Sequence, residues 1–261
     1  MSFLDRIGAA SMAPVSKMSE LGAFFVLTLK TLWSDRKIAP AMVFDVIMRQ
    51  VLFTGVEALK IITAIALIIG GVVILETFSI LPGLGGESAI GTILVIVVVR
   101  ELGPLLTAFI LIGRSGTAIS TEIGYMTVNH EVEAIESMGI NPLRFIVLPR
   151  IIGVAVAIAA LSFYFNTIAL FGGYFFARFM ADIPFGNYMT NLSAAIRFWD
   201  VAVSGIKCAI FGVIVATVCC YAGFTVRYSF TEIPQVTTKA VVTSIYLCFL
   251  SNILITLFFY I

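Results

Sequence analysis

The sequence predicts an all-α integral membrane protein: an N-terminal interfacial helix followed by five transmembrane helices. Three observations carry this fold class. AVILMFWYC residues make up 60% of the 261 and charged residues only 12%, whereas soluble chains carry roughly 25% charged residues. Sixteen basic and fifteen acidic side chains cannot solvate a surface of this size, and mean hydropathy is +1.08. Five apolar runs, bounded by turn-forming residues, each approach the ~20 residues that cross a bilayer. A water-soluble domain and a disordered chain are both excluded. The net charge of +1 offers no basic face for nucleic acid.

The elements follow in order. The first 20 residues hold no uninterrupted apolar stretch, which predicts no cleavable signal peptide. Leu21–Trp33 is apolar but short for a span, and Lys17, Lys30, Arg36 and Lys37 flank it; it reads as a helix lying in the interface, with a span starting at Leu21 as the alternative. Pro40 can open a second helix, on which Asp45 and Arg49 pair at i,i+4. Residues 1–55 thus form a cytoplasmic, interfacial segment and 56–261 a five-span domain. The spans are expected at Ile61–Leu81, Ile90–Ile112, Ile146–Phe171, Val201–Tyr221 and Ala240–Ile261. Turn chemistry marks their ends at Pro82–Gly86, Gly172–Gly173, Ile183–Asn187 and Ile233–Pro234. Cys208, Cys219, Cys220 and Cys248 lie in apolar runs without metal-like spacing and read as small buried hydrophobes.

Orientation comes from Lys and Arg. Seven precede the first span, the 114–150 loop adds Arg114, Arg144 and Arg150, and the 222–239 loop adds Arg227 and Lys239. The other two loops hold only Arg178 and Arg197. This bias predicts a cytoplasmic N-terminus and a C-terminus outside, with Trp199 as an interfacial anchor. No repeat of 20–50 residues is visible, and an odd number of spans disfavours an inverted-repeat secondary transporter.

Charges inside the spans point to function. Glu101 is the midpoint of the second span, beside Arg100, where a charge costs roughly 2.5–3.5 kcal/mol on insertion scales. Neighbours on a helix diverge by about 100°, so the two need different partners. Pro104 has no N–H and frees the carbonyl of Arg100. Charge and broken backbone together suggest a lined cavity; a structural ion pair with other helices is the alternative. Lys207, about 9 Å into the fourth span, either snorkels to the outer interface or joins that cavity to bind an anionic group.

The 114–150 loop contains a short helix outside the membrane, about 128–139. Asn129 can cap it, Glu131 and Glu133 suit its N-terminal dipole, and Gly139 with Pro142 ends it. Val132, Ile135 and Met138 fall on one face, a stripe suited to a groove on a soluble partner. His130, the only histidine, reads as a polar helix-start residue. The chain has no HExxH, GxSxG or paired-Asp motif and no GxxxxGK[ST], so no catalytic residue and no metal site is expected, and any ATP is hydrolysed by another chain.

The run Arg100–Ala108, followed by Gly113-Arg114-Ser115-Gly116, Glu122–Met126, Glu133-Ala134, Met138-Gly139, Asn141-Pro142, Leu148-Pro149-Arg150 and Thr237–Val242, resembles the MlaE (YrbE, plastid TGD) permease family. These are membrane subunits of ABC transporters that move phospholipids or related lipids. The resemblance implies a homodimer in the bacterial inner membrane, docked to a cytoplasmic ATPase that uses ATP and Mg, this chain binding no cofactor itself. Docking would run through Glu131, Val132, Ile135, Glu136 and Met138. A hexameric MCE-domain protein would sit on the periplasmic side, a STAS-like subunit could accompany the ATPase, and the assembly would maintain outer-membrane lipid asymmetry. The lipid cavity would lie between the two copies, near Arg100, Glu101 and Lys207, with Lys239 a further candidate. Ser229–Gln235 and Ser251-Asn252 depart from the family pattern, where a glycine-rich stretch and an acidic residue are common. Independently, five helices hardly enclose a lipid-sized cavity. Small-xxx-small patterns at Ala155/Ala159, Ala169/Gly173/Ala177 and Gly212/Ala216 suit close packing either between copies or within one. A secondary transporter or channel acting without an ATPase, gated by Arg100/Glu101, and an intramembrane enzyme are the alternative functions.

Overall fold

The computed structural model describes residues 19–31, 48, 51–52, 54–80, 88–181, 183–227 and 229–260. All regular structure among them is helical: α1 (19–31), α2 (Leu59–Ile80), α3 (Ile90–Val128), α4 (Glu131–Ser137), α5 (Leu148–Ala181), α6 (Phe185–Ala195), α7 (Phe198–Phe224) and α8 (Ile233–Tyr260). Among the described residues five helical runs are long and apolar enough to cross a membrane: Thr54–Ser79, Ile90–Val128, Leu143–Phe179, Phe198–Phe224 and Phe230–Tyr260. The helix expected after Pro40 and the turn at Pro82–Gly86 lie outside the described residues.

Two expected ends are corrected. The second span does not stop at Ile112: α3 runs on to Val128, and Ile112–Gly116 widens into a π-helical turn instead of a loop. Packing holds this extension in helix. A Cβ on Gly223 would lie 2.6 Å from Ile123 Cβ, and Thr237 donates to Ser120 Oγ at 3.2 Å, so α7 and α8 clamp it. The third span likewise passes through Gly172–Gly173, which are mid-helix in the 34-residue α5. There α2 and α5 approach so closely that a Cβ on Gly70 would lie 2.0 Å from the carbonyl oxygen of Ala169. The glycines buy proximity, not a turn.

The small-residue patterns are therefore spent inside the chain. Ala169 meets Gly70, Gly173 packs on Ile74, and a Cβ on Gly212 would sit 2.3 Å from Ala155 Cα. The fourth span, Phe198–Phe224, runs slightly beyond its expected ends, whereas the fifth begins earlier than Ala240, with Ile233–Pro234 opening α8 instead of forming a turn. The four cysteines are free and buried.

At the end opposite α4, α6 forms an unanticipated short helix between α5 and α7. Tyr188 anchors it by donating to the carbonyl of Leu170 at 2.8 Å; burial pushes its phenol above the ordinary range, so it remains a donor. At the α4 end, α1 lies against α7 through Phe24, whose ring is 5.6 Å from that of Tyr221 and 6.1 Å from that of Phe224. Its other face, with Val26 and Leu27, is exposed, as an interfacial helix requires.

Candidate functional site

The backbone of α3 sets the site. Val95–Leu102 is π-helical, with the Gly103 N–H donating to the Val98 carbonyl, and Pro104 follows without an N–H. The Arg100 carbonyl, deprived of the Pro104 donor, accepts instead from Lys207 Nζ at 3.0 Å. π-Bulges of this kind recur at functional sites because they free backbone groups.

Lys207 is fully buried. Besides that carbonyl it donates to Glu101 Oε1 and to Thr256 Oγ1, both at 2.8 Å. All three ammonium donors are thus engaged, and the lysine neither snorkels nor opens to a cavity. Glu101 also accepts from Thr256 Oγ1 at 3.0 Å and, on Oε2, from Asn252 Nδ2 at 2.8 Å. Arg100 turns to a separate tier. Its Nε lies 2.9 Å from Asp200 Oδ1, and its guanidinium carbon stands 4.5 Å from the centre of the Tyr260 ring. Asp200 Oδ2 accepts the Arg197 N–H at 3.2 Å, and the Tyr260 hydroxyl reaches Oδ1 at 3.5 Å.

Two tiers therefore serve the two adjacent charges of α3, as their divergence on the helix requires. Asp200 and Lys207 stand seven residues, two turns, apart on α7; Asn252, Thr256 and Tyr260 recur every four residues on α8. Two cations meet two carboxylates, so the cluster can be fully ionised and neutral, which is how such groups persist among apolar helices. Exposure divides them. Arg100 and Glu101 retain 22% and 30% of their side-chain surface, against 2% for Asp200 and 0% for Lys207. Charge is presented by α3 and held from behind by α7.

Asp200, Asn252, Thr256 and Tyr260 are the residues that sequence reasoning missed. Their signal was available: a polar stripe at i, i+4 and i+8 in an apolar span, and a carboxylate two turns before Lys207. Lys239 is not part of the cluster. It is exposed on α8, 13 residues before Asn252 and so about 20 Å along the helix.

The expected coupling residues are only partly gathered. Asn129 closes α3 and does not cap α4, and His130 begins α4 in the left-handed region, φ 59°, its Nδ1 3.0 Å from Glu133 Oε2. Gly139, φ +76°, ends the turn as expected. Val132 and Ile135 are half-buried against the bundle, whereas Glu131, Glu136 and Met138 are exposed, Met138 at 66%. Three apolar side chains on one outward face become two turned inward and one outward. Elsewhere at this end Arg150 pairs with Glu122 at 2.9 Å, and Arg114 pairs with Glu57.

The chain as a whole has relatives in sequence. The "Probable ABC transporter permease protein" of Rickettsia bellii is 30% identical over 240 residues, 92% of each chain. The "Intermembrane phospholipid transport system permease protein MlaE" of Haemophilus influenzae is 28% identical over 200 residues, 76% of this chain and 77% of that one. "Protein TRIGALACTOSYLDIACYLGLYCEROL 1, chloroplastic" of Arabidopsis thaliana is 25% identical over 213 residues, 82% of this chain and 61% of that one. The family model described as Permease MlaE matches residues 47–258, so the chain belongs to the MlaE permease family.

Proposed function

We propose that the chain is the membrane subunit of an ABC transporter that moves phospholipid, with Arg100 and Glu101 meeting the headgroup. The observation that carries the reading is the partly exposed charge pair on α3, held by buried counter-charges. A headgroup crossing an apolar bundle needs such a fixed polar surface, already solvated by protein and requiring no new desolvation. Lys207 acts as a positioning residue: it fixes the Glu101 carboxylate and the π-helical backbone without touching lipid. Asp200 does the same for Arg100.

In this reading two copies enclose the path. Only 17% of an 18-residue apolar window of the α8 span is buried, against 61% for the α5 span, and α8 carries the second wall of the cluster. A separate cytoplasmic ATPase, using ATP and Mg, docks at α4 through Glu131, Glu136 and Met138, with Val132 and Ile135 transmitting the push to the bundle. An MCE-domain hexamer receives or supplies lipid at the opposite, periplasmic end, and a STAS-like subunit accompanies the ATPase. The complex sits in the inner membrane, N-terminus inside, and maintains outer-membrane lipid asymmetry.

The test is the reconstituted complex carrying Arg100→Ala. Losing a charge-assisted hydrogen bond to phosphate weakens lipid binding by about ten- to hundredfold. Co-purified phospholipid and lipid-stimulated ATP hydrolysis should both fall, with two permease copies still present by native mass spectrometry. Normal lipid content and normal transport in a well-folded variant would remove Arg100 from the path.

A further inference from the structure

A cavity of about 290 Å³ lies at the α4 end, walled by α1, α7 and α8. It is remote from the Arg100 cluster and holds the lysine that the cluster leaves out. Lys239 lines it, exposed, its ammonium group without a hydrogen-bond or ion-pair partner among the described residues. Glu20 lines it from α1, its Oε2 accepting from the Tyr221 hydroxyl at 2.6 Å. Leu21, Val218 and Val236 supply apolar wall.

We infer that this cavity is a binding site for a phospholipid with a zwitterionic, primary-ammonium headgroup, seated between α1 and the bundle. The charges decide the class. Lys239 alone would select an anionic lipid, as basic pockets between helices do, and Glu20 alone would select a cation. Presented in one cavity they suit a headgroup bearing both signs, phosphate toward Lys239 and ammonium toward Glu20. A primary ammonium has three donors for the carboxylate, while a quaternary one has none. The apolar wall then receives the first part of an acyl chain. The site also accounts for how α1 is held: the direct tethers described above are one hydrogen bond and two ring contacts, all on α7, and the lipid fills the gap toward α8. The inference rests on the membrane-spanning fold and not on the transport reading.

The test uses the full chain, equilibrated in vesicles of equal phosphatidylethanolamine, phosphatidylcholine and phosphatidylglycerol, re-purified, and its retained lipid quantified by mass spectrometry. The wild type should retain phosphatidylethanolamine over each competitor by roughly three- to tenfold, the scale of an exposed charge pair or two. Glu20→Gln should lose the preference over phosphatidylcholine and over phosphatidylglycerol alike. Lys239→Gln should lose retention of phosphatidylethanolamine and phosphatidylglycerol, and Lys239→Arg should keep it. Arg100→Ala should leave the preference intact, since that residue serves another site. Equal retention of the three lipids by the wild type, a preference that survives either glutamine variant, or one abolished by Arg100→Ala, overturns the inference. Transport by a wild type that retains no phosphatidylethanolamine would overturn this site alone; retention without transport would overturn only the transport reading.

Discussion

The seam between α2 and α5 and the junction of α3, α7 and α8 solve the same problem by opposite means. At the seam, Gly70, Ala169 and Gly173 bring two backbones together, and cohesion comes from many small dispersion contacts at close range. At the junction, four charges and three uncharged polar side chains are knitted together across a helix whose hydrogen bonding shifts to the π-helical pattern. Dispersion contacts tolerate no intrusion and offer a passing ligand nothing. A polar junction can exchange partners, because each charge is held by several donors or acceptors. The protein thus keeps a stiff scaffold on one side and an adjustable surface on the other.

The largest expected effect lies at the junction. Lys207→Met removes the cation that satisfies Glu101, the Arg100 carbonyl and Thr256 together. Breaking a buried pair from one side costs about 3–5 kcal/mol, which should appear as low yield and a large loss of thermal stability in detergent. Adding Glu101→Gln should recover part of it by removing the orphaned charge. A Lys207→Met chain as stable as the wild type would mean that the junction is not held by charge.

The seam should fail through volume. Gly70→Ala places a methyl where the Ala169 carbonyl oxygen sits, forcing the helices apart at about 1–3 kcal/mol despite the better helix propensity of alanine. Gly113→Ala is its control: nothing lies within 4 Å of a Cβ there, so the same change should be neutral or stabilising by up to about 1 kcal/mol. Thermal unfolding of the two variants side by side should show a loss for Gly70→Ala and none for Gly113→Ala. The same outcome in both would show that the α2–α5 approach is not limiting.

Much of this was legible in the sequence, for identifiable reasons. Span number follows from apolar run length, and the bilayer enforces it. The meeting of Arg100, Glu101 and Lys207 was foreshadowed by Pro104, because a freed carbonyl needs a donor. Gly172–Gly173 reads as turn punctuation but lies within a helix, because tertiary packing overrides a penalty of about 1 kcal/mol per glycine. The helix α6 has no long apolar period and was invisible as a span. Depth alone does not place Lys207, since the same depth serves a snorkelling and a buried lysine; its two acceptors on α3 and one on α8 decide the matter. Asn252, noted as a departure from the family's acidic pattern, becomes intelligible. It donates to Glu101 Oε2, which an ionised carboxylate at that position cannot do.

The smallest expected effect is the sharpest comparison, because one substitution can be made in both regions. Thr63 and Thr256 each carry a hydroxyl across helices, Thr63 to the Tyr164 hydroxyl at 2.8 Å between α2 and α5 and Thr256 to Glu101 at 3.0 Å while accepting from Lys207. Valine matches threonine closely in shape, so the change removes polarity alone. At the seam the partner is a neutral hydroxyl beside small residues, and Thr63→Val should cost about 0.5–1.5 kcal/mol. At the junction the lost group served both a buried ammonium and a carboxylate, and bonds to charged groups are worth about 1.5–3 kcal/mol. Thr256→Val should therefore be the more damaging of the two, by roughly 1 kcal/mol. It should also reduce retained phospholipid, since it loosens the carboxylate beside Arg100, whereas Thr63→Val should leave lipid content unchanged. Paired unfolding curves and lipid quantification on the two variants decide it. Equal losses of stability with unchanged lipid in both would mean that the junction is only another packing seam that happens to be charged.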